Sequence, residues 1–421
     1  MSHIIEDFRA FLEAAPTAWH TVHEVGNRLA LHDFTPLQEE EKWVLEKGKS
    51  YFVARGGAIA AFTLPAKAPK KALIIAAHTD SPALKIKPRP EFLKEGMTLF
   101  GVEVYGSPML TSWLNRDLAL AGRVFVTNAR EEIEERTVFI DDAPLIIPQL
   151  AVHLDREINE KGILLNKQQH LSPLVTLEKA DLEALLRRHL SFHSLLSFDL
   201  LLVPMEPSRF VGAHNELLAA YRIDNLTSVH AATVALSRTA EMPSDALKIA
   251  IFWDHEEIGS RTTEGAFSPF FSDLFMRIGH GLNLSHEELF LLKNHSFCVS
   301  SDMAHALNPN YIDKHDPQHM PLLGKGIVLK HNADRKYATS GATAAKVIAL
   351  CHKCTIPCQP FVSRSDIPTG STVGPIFEQK LGIPTVDIGV PQLSMHSARE
   401  VIAWQDYIHL AQFLTHFLGE E

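Results

Sequence analysis

Five short polar clusters hold the residues best able to do chemistry: His78-Thr-Asp80, Asp224-Asn225, His255-Glu256-Glu257, Ser301-Asp302 and His396. Imidazole and carboxylate are the donor set that zinc, manganese or cobalt takes in hydrolases, and no cysteine joins them. The clusters therefore predict a catalytic metal site rather than a structural zinc. Two divalent ions held by Asp224, Glu257 and Asp302 would keep a net positive charge, which favours hydroxide, acidifies bound water and polarises a scissile carbonyl. Asp224 is the natural bridge between two metals because it sits where a helix starts. In an extended Glu256-Glu257 pair adjacent side chains point in opposite directions, so one can ligate while the other takes a proton from water. Asp80, two residues beyond His78, is placed to orient that imidazole from behind. His255 and Asp254 read as packed neighbours, and Asn225 as the helix cap. His20, His23, His305, His315 and His319 lack a strand-end context and read as surface residues.

The elements that must position these groups are apolar runs. Leu73-Ile-Ile-Ala-Ala77 precedes His78, Leu247 to Trp253 precedes Asp254-His-Glu-Glu257, Phe297-Cys-Val-Ser300 precedes Asp302, and Ile383 to Val390 leads towards His396. Nearly continuous apolar runs of this length suit strands buried on both faces, and open α/β sheets bind ligands at the carboxyl ends of such strands. Helices are expected near the N-terminus and over Leu226–Ala240, Gly341–Lys353 and Trp404–Leu418. A different texture lies between, with short β-like pieces at Val102, Gly122, Thr137 and Phe198 and one helix over Leu177–Leu190. Pro88-Arg-Pro90 and Pro204 to Pro207 mark its ends. The expected architecture is α/β: a mixed, mostly parallel sheet with helices on both faces, formed by residues 1–86 and 214–421, with a β-rich domain inserted at 87–213.

A chain of 421 residues exceeds what one core usually serves, in keeping with two domains. Its formal net charge of -10, without basic stripes, argues against nucleic-acid or anionic-membrane partners. No apolar run reaches the roughly 18 residues that span a bilayer, and the N-terminus lacks the plan of a secretory signal, so a cytoplasmic location is expected. Cys351-His-Lys-Cys354-Thr-Ile-Pro-Cys358 reads as reduced structural thiols, because one Cys-x-x-Cys pair is short of a zinc site. Arg130-Glu-Glu-Ile-Glu-Glu-Arg136 reads as a solvated hairpin face.

The segments Ala76-Ala-His-Thr-Asp80-Ser-Pro, Tyr221-Arg-Ile-Asp-Asn225, Asp254-His-Glu-Glu-Ile-Gly-Ser260, Ser301-Asp-Met-Ala-His305 and Pro391-Gln-Leu-Ser-Met-His-Ser-Ala-Arg-Glu400, in this order, resemble the M18 metallopeptidases, the aspartyl aminopeptidases. The resemblance spans essentially the whole chain. It implies two metal ions per subunit, zinc first with manganese or cobalt as alternatives: His78 and Asp302 on one, Glu257 and His396 on the other, Asp224 bridging and Glu256 as general base. It implies release of N-terminal Asp or Glu from peptides, an inserted domain used for dimerisation, and a homo-oligomer of twelve subunits. It also matches His153, within Gln149 to Arg156, to a histidine that reaches a neighbouring subunit's substrate, and Lys330 and Tyr337 to the substrate pocket. Without the resemblance Lys330 and Tyr337 are ordinary surface candidates. Thr369 stands where eukaryotic relatives have cysteine.

Two rival readings share the residues. A related dinuclear carboxypeptidase or deacylase would use the same strand-end ligands, but its accessory domain usually enters after the Glu-Glu strand, whereas here the insertion precedes Asp224. A catalytically silent assembly protein of the same fold fits poorly with an intact Glu256 and a full ligand set.

Overall fold

The structure is a computed structural model and describes residues 2–420. Nine strands form the main sheet, in the order 34–37, 50–55, 58–63, 246–253, 71–78, 297–301, 385–389, 327–330, 358–361. The four strands from 246–253 to 385–389 run parallel, so their carboxyl ends share one edge. Antiparallel pairings bring in 58–63 and 327–330 on either side. The sheet is thus mixed and mostly parallel, as expected.

Lys71–His78 is buried at every position after the first. Leu73, Ile75 and Ala77 face one core, while Ala72, Ile74 and Ala76 face the other. That two-residue alternation with both sides covered is what a strand between helical layers requires. Ile223–Thr239, Gly341–Cys354 and Trp404–Leu418 pack on the first face, and Phe270–Gly281, His286–Asn294 and Val373–Leu381 on the second. Ser340 opens the helix Gly341–Cys354 with a capping box to Thr343, and Thr355 ends it in the left-handed conformation. The helix therefore stops at Cys354, three residues before Pro357. Trp404–Leu418 is helical as expected.

Residues Ala83–Pro204 supply a second, wholly antiparallel sheet of six strands, with its own core around Phe100, Trp113, Leu120, Ile140 and Leu200. Pro88 and Pro90 do not break the chain. They lie inside Ala83–Lys94 where its pairing with Met97–Tyr105 shifts register between Ile86 and Glu91, and a bulge is where a strand tolerates residues that cannot donate. The helix expected over Leu177–Leu190 is only Leu182–Leu186, because Glu178 and Ala180 bond Thr98 of the sheet and the side chain of Asp181 caps the helix by accepting from Ala184 N. The N-terminal helical pattern is two helices, Ser2–Ala14 and Ala18–Ala30, parted at Pro16. Arg130–Arg136 forms an exposed hairpin turn and the start of the strand Ile133–Leu145.

A third sheet of five short strands, in the order 209–211, 217–220, 400–403, 391–393, 304–305, closes over the carboxyl edge of the main sheet. It brings the segment before Asp224 beside the loop that holds His396. No helix among the described residues is long and apolar enough to cross a membrane. None of the four cysteines is in a disulfide.

Candidate metal centre

His78 ends its strand directly opposite Trp253, and Asp302 follows the neighbouring strand Phe297–Ser301, so parallel register alone brings three clusters to one edge. His78 Nε2 lies 3.4 Å from Asp224 Oδ1 and 3.5 Å from Asp302 Oδ1. On the far side of Asp224, His396 Nε2 lies 3.7 Å from Asp224 Oδ2 and 3.3 Å from Glu257 Oε2. Among the described residues four groups of possible ligand atoms each lie within 4.8 Å, and two of them share Asp224: His78 with Asp224 and Asp302, and Asp224 with Glu257 and His396. Asp224 belongs to both and offers one oxygen to each.

The surrounding hydrogen bonds aim these side chains. Asp80 places Oδ1 3.3 Å from His78 Nδ1 and accepts the backbone N–H groups of Glu256 and Glu257, both at 3.1 Å. Ser81 Oγ donates to the Asp224 carbonyl at 2.6 Å. The Nδ1 of His396 meets the carbonyl of Ser107, from the segment that leaves the six-stranded sheet, at 3.1 Å. An Nδ1–H donated there leaves Nε2 unprotonated and free to ligate.

Three local expectations fail here. Glu256–Ile258 is a single 3-10 turn entered through His255 at φ 62°, not an extended pair. Both glutamates consequently face one cavity and do not point apart. Asn225 does not cap its helix. Its Nδ2 donates to the Ser301 carbonyl at 2.9 Å, tying the Asp224 segment to the strand that delivers Asp302, and its Oδ1 has no partner. Lys330 is not a surface residue: it is 2% exposed, with Nζ 3.5 Å from Asp302 Oδ2 and 5.3 Å above the Tyr337 ring.

Electrostatics show what the donor set lacks. Burial drives the Glu257 carboxyl well above the usual range, and Asp224 and Glu256 push the same way. Glu256 is pushed up to about 8 by burial, with His78 opposing and Asp302 reinforcing. Burial works against a charged His78, yet Asp224, Asp302 and Asp80 around it raise it well above an ordinary histidine. Burial pulls the Lys330 ammonium down, but Asp302, Tyr337, Asp387 and Asp224 together more than offset it, so the buried amine stays charged. Asp224 Oδ1 and Glu257 Oε1 are buried without any hydrogen-bond partner. Surplus negative charge, two orphaned carboxylate oxygens and imidazole nitrogens facing them fit divalent cations.

A cavity of about 470 Å3 opens over these groups, with Glu256, Lys330, Tyr337 and His305 in its wall. His305, expected to be an ordinary surface residue, thus belongs to the site's lining. Tyr337 is buried, its hydroxyl 2.9 Å from Thr369 Oγ1. His255 and Asp254 stand outside both groups that share Asp224, in a separate cluster with Glu264: His255 Nδ1 meets Thr262 Oγ1 at 2.9 Å, and Asp254 accepts the His255 N–H. His20 bonds Thr17 Oγ1. His153 lies in an exposed turn of the insertion, where Leu150, Val152 and Leu154 are exposed too, and does not line the cavity of its own chain. Sequence reasoning gave no role to Tyr105, whose hydroxyl donates to Asp80, or to Glu400. The signal for Glu400 was a carboxylate heading the apolar strand Glu400-Val-Ile-Ala403, a position a buried acid occupies only with partners.

Comparisons with known proteins bear on the family and the fold. The model of the family described as "Aminopeptidase I zinc metalloprotease (M18)" matches residues 11–418. A protein of Streptomyces avermitilis named "Probable M18 family aminopeptidase 2" is 41% identical, the match covering 98% of this chain and 97% of that one. A Ricinus communis protein named "Probable aspartyl aminopeptidase" is 36% identical, over 98% of this chain and 95% of its own. Among solved structures, that of the S. cerevesiae mApe1 dodecamer is 25% identical and superposes with a TM-score of 0.85, covering 98% of this chain and 95% of that one. Fold, donor chemistry and near-complete coverage converge, and the chain belongs to the M18 family of zinc metallopeptidases and is a metallo-aminopeptidase.

Proposed function

We propose that this enzyme is a dinuclear aminopeptidase that removes N-terminal Asp or Glu from peptides. The observation that carries the reading is the sharing of Asp224 between two ligand groups, with its Oδ1 buried and unpartnered. His78 and Asp302 would hold one ion, Glu257 and His396 the other, and Asp224 both. Asp80 orients His78. When bound, two zinc ions, or manganese or cobalt in their place, would supply Lewis-acid polarisation of the scissile carbonyl and an acidified water.

The chain's own residues do the rest. Glu256 lines the cavity beside His78 and Glu257 but outside the two groups that share Asp224, and its raised pKa suits a base that takes a proton near neutrality and returns it to the leaving amine. Lys330, held charged beside Asp302, is positioned to attract an acidic side chain, and Tyr337 flanks it from the same wall. A lysine shared with Asp302 is a point charge rather than a bidentate fork, so the preference for acidic residues should be moderate. The name of the Ricinus communis relative supports the same preference.

The inserted sheet is read as the dimerisation domain. Its exposed Leu150, Val152 and Leu154 are the apolar contacts a second copy would cover, carrying His153 towards the partner's cavity as a donor to the oxyanion. The dodecamer of the yeast relative supports a twelve-subunit assembly. A panel of chromogenic aminoacyl substrates, assayed with and without chelator, tests the function. Acidic residues should be released fastest and chelator should abolish turnover, whereas chelator-resistant turnover or faster release of neutral or basic residues would contradict the reading.

A further inference from the structure

Glu400 heads the strand Glu400–Ala403 and is paired in register with Ala220, four residues before Asp224, while His396 lies four residues before Glu400 itself. Its side chain is 2% exposed and turns back into this corner. One carboxylate oxygen, Oε2, accepts the backbone N–H of Asp224 at 2.9 Å, and the other, Oε1, accepts the backbone N–H of His396 at 2.7 Å. The two amides belong to segments 172 residues apart in sequence but to the same ligand group, Asp224 with Glu257 and His396. His396 sits at φ 64°, a conformation that costs a non-glycine residue energy unless its surroundings hold it.

We infer that Glu400 is a positioning residue that clamps Asp224 and His396 at a fixed separation and so sets the affinity of the second metal position, resting on the two-metal reading above. A carboxylate is the one side chain of this length that offers an acceptor to each of two converging N–H groups. Glutamine keeps the shape but must turn an NH2 donor against one of them. Aspartate keeps the charge but is one methylene too short to reach both. Groups that hold a metal's ligands in place typically change metal affinity by about 10-fold to 100-fold.

The test is a buffered zinc titration of the full-length wild type, Glu400→Gln and Glu400→Asp, reading zinc per subunit, the difference in Tm between zinc-loaded and zinc-free protein, and kcat against KM. In both variants the first zinc should bind as in the wild type, the second about 10-fold to 100-fold more weakly. The gain in Tm on loading should shrink, and kcat at limiting zinc should fall with KM little changed. Two zinc ions bound with wild-type affinity would overturn the inference. So would equal losses of Tm in loaded and zinc-free protein, or failure of both variants to fold, each of which makes Glu400 a structural residue only. A wild type that takes up a single zinc would instead refute the two-metal reading, and the inference with it.

Discussion

Tyr105 donates its hydroxyl proton to Asp80 Oδ2 at 2.7 Å, so a strand of the six-stranded sheet holds the carboxylate that orients His78. Asp80 takes the Glu256 and Glu257 amides as well. The second sheet is thereby wired to the candidate metal centre within one subunit. Tyr105→Phe removes a bond to a charged acceptor worth about 1.5–3 kcal/mol and leaves the ring in place. We expect about a tenfold faster loss of zinc to chelator, with the thermal melt of the zinc-free protein lowered by less than that of the loaded one. Zinc retention equal to wild type would show that Tyr105 merely packs.

Glu256→Gln should leave zinc content near wild type and lower kcat by about 10²-fold to 10⁴-fold, the usual contribution of a positioned base. Metal analysis beside single-substrate kinetics decides this. A variant that keeps its turnover, or that loses its metals, refutes the assignment.

The reach of the sequence was uneven, and the reasons are local. Strands 71–78, 246–253 and 297–301 were legible because burial on both faces leaves a nearly continuous apolar run, and the residues just beyond them were legible because parallel register places them together. The Glu256–Ile258 turn was not, since nothing in two adjacent glutamates announces that His255 enters it with positive φ. Lys330 was hidden by its own chemistry: a lysine reads as exposed until a buried Asp302 is known to neutralise it. Asn225 has a capping residue's composition but spends its amide on Ser301, a partner 76 residues away. Helix Leu182–Leu186 was overextended because Glu178 and Ala180 bond Thr98 of the sheet and Asp181 caps the helix only at Leu182, tertiary contacts that override local propensity.

Lys330→Ala should lower kcat/KM for substrates with N-terminal Asp or Glu at least tenfold more than for N-terminal Ala or Leu, consistent with losing one charged contact. Because Lys330 also lies beside Asp302, a general loss across all substrates is expected on top. Equal losses for acidic and neutral substrates would assign Lys330 to Asp302 alone.

Mixing inactive Glu256→Gln subunits with inactive His153→Ala subunits, after dissociation and reassembly, should restore activity if His153 serves a partner's cavity. Some interfaces then join an intact Glu256 to an intact His153. Each variant reassembled alone must stay inactive, and no recovery in the mixture would return His153 to the role of an ordinary exposed turn residue.

Anomalous diffraction at the zinc edge from crystals of the zinc-loaded enzyme tests the central claim most directly. The account predicts two peaks per subunit, one among His78, Asp224 and Asp302 and the other among Asp224, Glu257 and His396, with Asp224 between them. A single peak, or peaks that leave Asp224 uncoordinated, would contradict it.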